Sequence, residues 1–111
     1  MFTISLFRVH DTVRIRENGE SLTLKVDADP MRLTAGLNEA RKRLQGINEE
    51  SDDGEQLAAA MYFAQTVFGE EQAAKLADLY NNDPTAIVNI VGQYFSQRLS
   101  KLIKKAQIRH K

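Results

Sequence analysis

The chain has 111 residues, 15 Lys or Arg against 15 Asp or Glu, 42% hydrophobic residues and no Cys. That length suits one domain with a modest core, and the missing Cys excludes disulfides, thiolate metal sites and cysteine nucleophiles. Neutrality is only an average: residues 48–83 carry nine acids against one base, Lys75, while residues 84–111 carry six bases and no acid. Such separated fields bias encounter and orientation with partners rather than fold.

Met1 to Phe7 is apolar-rich but has neither a basic segment before it nor a small-residue cleavage site after it. No stretch approaches the roughly 18–20 apolar residues that span a bilayer. The expectation is an intracellular soluble protein with no membrane partner.

Phe2, Ile4 and Leu6 alternate as in a strand, and the pattern then slips to Phe7 and Val9, which implies a bulge or bend. The clearest local signal follows, from Val13 to Val26 around Asn18-Gly19. Both central positions of a type I′ turn need positive φ, which Asn-Gly supplies. That turn sets Ile15 opposite Leu22, Val13 opposite Leu24 and, on the other face, Arg14 opposite Thr23. Apolar and polar faces then sort cleanly. A lone hairpin is marginal in water, so a third strand from Phe2 to Val9 and a helix are expected to cover it.

Both prolines follow an aspartate, at Asp29-Pro30 and Asp83-Pro84. The aspartate can cap a helix while Pro takes its first position, where the missing N–H costs nothing. The first helix is expected from Pro30 to Leu44, on the stripe Leu33, Leu37, Ala40 and Leu44, with Arg41, Lys42 and Arg43 at its negative end. Asn48 to Gly54 reads as a flexible acidic loop. Helices follow over Glu55–Phe68, stopped by Gly69, and over Glu70–Tyr80. The longest is expected from Pro84 to Gln107, with Val88, Val91, Phe95, Leu99, Leu102 and Ala106 as a continuous seam. Gly92 sits within it at a cost of about 1 kcal/mol relative to Ala, which suggests a close approach there.

Candidates for chemistry are few. His10 and His110 have no second ligand at i+3 or i+4, so neither suggests a metal site. Glu49-Glu50, Asp52-Asp53 and Glu70-Glu71 lack the alternate-position ligands of a calcium loop. No phosphate loop, nucleophile elbow or zinc signature occurs. The expectation is a protein that is not an enzyme and uses no cofactor or metal. What stands out is the basic end: Arg98, Lys101, Lys104 and Lys105, with Arg109, His110 and Lys111 beyond them. Three readings stay open: cations placed for the helix dipole, a protein partner, or nucleic-acid phosphates. The apolar residues between these bases could be core, or a docking stripe for another helix or another copy of the chain.

Phe68-Gly69-Glu70, Tyr80 with Asp83-Pro84, Tyr94-Phe95 with Arg98-Leu99, and Lys104-Lys105-Ala106-Gln107 carry a resemblance over roughly Glu55 to Lys111. This half resembles small tail-region proteins of long-tailed phages and prophages of Gram-positive bacteria. The resemblance implies a tail assembly chaperone in the host bacterial cytoplasm. Such a protein would coat the amphipathic helices of a tape-measure protein until tail tube subunits displace it. It brings no catalytic residues. The expected interface is Tyr94, Phe95, Leu99, Leu102 and Ile103, flanked by Arg98 and Lys101, with homo-oligomers possible through the same stripe. A structural tail component and a small nucleic-acid-binding or regulatory protein are the alternatives.

The architecture expected is α+β in a single domain, residues 1–111. An N-terminal antiparallel hairpin or three-stranded meander (1–27) precedes about four helices (28–111), the last one longest.

Overall fold

The computed structural model describes residues 8–109. Phe2–Phe7 of the third strand expected over Phe2–Val9, and His110 and Lys111, lie outside the described residues, and Val9 opens the first strand of the hairpin. Strands β1 (Val9–Glu17) and β2 (Glu20–Ala28) pair antiparallel. Ile15 faces Leu22, Val13 faces Leu24 and Arg14 faces Thr23, as the turn requires. Asn18 and Gly19 hold φ of 52° and 81°, the left-handed pair of a type I′ turn.

Four helical units follow: α1 (Pro30–Gln45), α2 (Asp53–Phe68), α3 (Glu70–Leu79) and a last rod. The rod is α4 (Pro84–Tyr94), a π-helical turn (Phe95–Leu99) and α5 (Ser100–Arg109), with helical backbone at both junctions. The domain is α+β, with the last helical rod the longest element.

Helix starts follow local chemistry. Met31 N–H donates to Asp29 Oδ1 at 2.9 Å and Thr85 N–H to Asp83 Oδ1 at 3.0 Å, with Pro behind each cap. The acidic loop is shorter than expected, because Asp52 also caps: Glu55 N–H donates to its Oδ1 at 2.7 Å, and α2 begins at Asp53. Gly69 ends α2 and starts α3 at φ 84°, a conformation that costs side-chain-bearing residues strain. Asn81 and Asn82 turn the chain at φ 54° and 58°, which Asn tolerates better than most.

Helix α2 is central and touches α1, α3, α4 and β2. The inward face of the hairpin, with Leu24 and Val26, closes over this helical layer. Leu24, Leu76, Ile87 and Leu99 are fully buried, each contributing about 1.5–3 kcal/mol of burial. Helices α1 and α2 cross closely at Gly36: a Cβ there would meet Thr66 Cγ2 at 2.6 Å. At Gly92 a Cβ would meet nothing within 4 Å, so the close approach expected there does not occur.

The seam of the last helix also differs from expectation. Ile87, Val91, Leu99, Ile103 and Ala106 are buried, whereas Val88, Phe95 and Leu102 are half-buried. The reason is the π turn, in which Ser100 N–H reaches the carbonyl of Phe95, five residues back. Val91 and Leu99 are eight residues apart, roughly 80° out of line at about 100° per residue in an uninterrupted α-helix. The π turn absorbs one extra residue, so eight behave as seven and the two side chains align to within about 20°. Across the same turn Phe95 and Leu102 come to lie about 120° apart, so these half-buried side chains flank the buried line on opposite sides.

Candidate functional site

The π turn brings the last helix onto β1. Asp11 lies on the inward face of β1, and its side chain is only 7% exposed. Tyr94 Oη donates to Asp11 Oδ2 at 2.8 Å, and Arg98 Nη2 donates to Oδ1 at 3.0 Å while its Nε binds Oδ2. The carboxylate thus accepts a two-pronged guanidinium bond and a phenol bond from one turn of helix. The bonds from Arg98 hold the Asp11 carboxyl below the usual carboxylate range, against the opposing effect of burial. Burial, then the bond to Asp11, pushes the Tyr94 hydroxyl well above its ordinary value. Tyr94 also stacks on Phe68, ring centroids 5.8 Å apart at 26°. Arg98 remains 60% exposed along its side chain, so the pair sits at the protein–water boundary.

This arrangement divides the expected interface residues into three groups. Leu99, 0% exposed, and Ile103, 7% exposed, belong to the core. The uninterrupted docking stripe expected from sequence is therefore corrected: these two side chains face inward because of the π turn. Tyr94 and Arg98 are committed to Asp11. Phe95 and Leu102 are half-buried on opposite sides of the buried line, and Lys101 is exposed. Val88 stands one heptad before Phe95 on the same face. It lines a shallow cleft of about 250 Å³ with Leu44 and Ile47 of the α1 end. Lys104 and Lys105 are exposed beyond it.

A second cleft of about 290 Å³ opens between β1 and α4, with Val13, Ile15, Phe68, Ile90 and Tyr94 among its walls. Asp11 was missed as a functional residue by sequence reasoning. Its only signal is that an acid occupies an inward position of an otherwise apolar alternation, between Val9 and Val13. Among the described residues, no group of three His, Asp or Glu side chains could hold a metal ion. No helix there is long and apolar enough to cross a membrane.

What these elements define as a class is a two-stranded hairpin closed over a helical layer, its last helix broken by a π turn and latched to β1. Compared with known proteins, the chain matches no family model, no curated protein and no solved structure.

Proposed function

We propose that this chain is a non-catalytic adaptor that binds an amphipathic helix of a partner protein, in the manner of a phage or prophage tail assembly chaperone. The observation that supports this reading is the cleft that Val88 of α4 lines with Leu44 and Ile47. Half-buried Phe95 stands one heptad further along the same face of the longest element. Apolar anchors at heptad spacing are what a helix laid in a groove reads. The partner class, tape-measure helices with tail tube subunits competing for them, comes from the resemblance of residues 55–111 to tail-region proteins.

The test is fluorescence anisotropy with a labelled amphipathic helical peptide from a tape-measure protein, on the wild type and on Val88→Glu. Binding that is lost in Val88→Glu, in a protein whose circular dichroism is unchanged, supports the adaptor. Binding that survives the substitution removes this surface from the argument.

Lys101, Lys104 and Lys105 are exposed and take part in no ion pair among the described residues. They favour a second reading, nucleic-acid contact in the host cytoplasm. Salt separates the two: phosphate binding weakens steeply as salt rises, whereas an apolar interface changes little.

A further inference from the structure

The two edges of the hairpin are treated differently by the fold. On β2, Lys25 N–H donates to Gln72 Oε1 at 2.7 Å and Gln72 Nε2 donates to the Lys25 carbonyl at 2.6 Å. The amide of Gln72, itself anchored to the Phe68 carbonyl at 2.8 Å, therefore stands in for a neighbouring strand. Both backbone groups of Lys25 thus point away from β1.

Lys25 pairs with Thr12, and antiparallel pairs alternate between bonded and non-bonded. Arg14, opposite Thr23, and Arg16, opposite Ser21, are consequently in non-bonded pairs. The two-residue turn gives the same answer, since Glu17 and Glu20 must be a bonded pair. The N–H and C=O of Arg14 and Arg16 therefore point outward from β1. Among the described residues nothing bonds them. They face the cleft of about 290 Å³ between β1 and α4, whose apolar walls include Val13, Ile15, Phe68 and Ile90.

We propose that this edge is a strand-addition site. It would accept an extended segment of another protein, with acids on one face and apolar residues on the other. Backbone groups at an open edge are a template for another strand. Residues of the added strand opposite Val13 and Ile15 would drop into the cleft. Its volume falls just below the roughly 300–1,000 Å³ of small-molecule sites, in keeping with the side chains of a peptide laid along the rim.

Residues opposite Arg14 and Arg16 would lie on the outer face, where both arginines are exposed and take part in no ion pair among the described residues. Opposite charges directly across a pair stabilise it and like charges destabilise it. A second copy pairing β1 against β1 about a two-fold centred on Arg14 would set arginine against arginine. One centred on Val13 would set Arg14 and Arg16 opposite Thr12 and His10 with no counter-charge, whereas an acidic strand complements both arginines. This surface is separate from the cleft beside Val88, and the inference does not rest on the adaptor reading.

The probe is an eight-residue peptide alternating glutamate with valine and phenylalanine, followed by amide hydrogen exchange read by NMR on the full chain. On saturation, the Arg14 and Arg16 amides should slow at least about tenfold, while the Lys25 amide, already bonded to Gln72, should not change. The same peptide with lysine for glutamate should bind roughly tenfold more weakly or not at all. Peptide methylated at alternate backbone nitrogens on its bonding edge should lose binding, and Arg14→Glu with Arg16→Glu should reverse the charge preference. Three results overturn the proposal. One is slow exchange of the two amides in the free protein, as cover by another part of the chain or by a second copy would give. Another is peptide binding that leaves those amides unchanged. The third is no binding at millimolar peptide.

Discussion

Leu99 is the residue on which the fold and the interface expected from sequence disagree most directly. Its side chain is 0% exposed, and the π turn is what points it inward. Leu99→Ala removes a fully enclosed side chain, and such truncations cost about 2–5 kcal/mol through lost burial and the cavity left behind. Domains have roughly 5–15 kcal/mol in total, so the variant should lose a large share of its stability. At about 4 °C per kcal/mol for a chain near this size, Tm should fall by roughly 8–20 °C. In urea, with m near 2 kcal/mol/M, the midpoint should fall by about 1–2.5 M. Leu102→Ala is the control: its side chain is half-buried, and about 1 kcal/mol is expected. Urea unfolding followed by circular dichroism measures both. A Leu99→Ala variant within about 0.5 kcal/mol of the wild type, or one less destabilised than Leu102→Ala, would refute the account of the π turn given above.

Other outcomes follow from single contacts. Gly36→Ala should destabilise by about 1–3 kcal/mol because its Cβ would meet Thr66 Cγ2. Gly92→Ala, with open space around the new methyl, should instead stabilise by up to about 1 kcal/mol; thermal melts of the two variants compare them. Gln72→Ala uncovers the β2 edge at Lys25 and should cost about 1–2 kcal/mol, with faster exchange of the Lys25 amide as the local readout. The Asp11 cluster gives two pH limbs, through the Arg98 bond to Asp11 and the burial of Tyr94. Asp11 titrates lower when folded, so its contribution is present above the unfolded value near 3.9 and is lost as pH falls through the folded value. Tyr94 titrates higher when folded, so its contribution is complete below about pH 10 and is lost as pH rises through the folded value. Urea midpoints across pH should show a flattened acid limb in Asp11→Asn. Tyr94→Phe should flatten the alkaline limb and cost about 1–2 kcal/mol at neutral pH.

The hairpin register, the helix starts and the break at Gly69 were legible in the chain because each rests on contacts among neighbours. Asn18-Gly19 can adopt the left-handed pair of angles, Asp29 and Asp83 cap the residues directly after them, and Gly69 tolerates a φ that others resist. None of these needs knowledge of what lies across the fold. The start of α2 is different: Asn48 to Gly54 reads as an acidic loop, and only the geometry shows that Asp52 within it caps a helix that begins at Asp53.

The candidate site was legible only in part. Phe95 and Leu102 are half-buried and Lys101 is exposed, but the π turn sets the two apolar side chains on opposite sides of the buried line rather than on one stripe. Leu99 and Ile103 belong to the core; the expectation of a single stripe applied a regular 3.6-residue period to a helix that carries an extra residue in one turn. That extra residue leaves no mark in composition or capping. It is selected by what the helix meets: a core that takes Val91 and Leu99 on one line, and a carboxylate on β1, 87 residues earlier than Arg98, that binds Tyr94 and Arg98 together. Local sequence thus determined the hairpin turn and the starts of α1, α3 and α4, since those choices are made between near neighbours. The tertiary structure alone decided which side of the last helix faces inward and that Gln72 covers the β2 edge of the hairpin at Lys25, because both depend on partners distant in the chain.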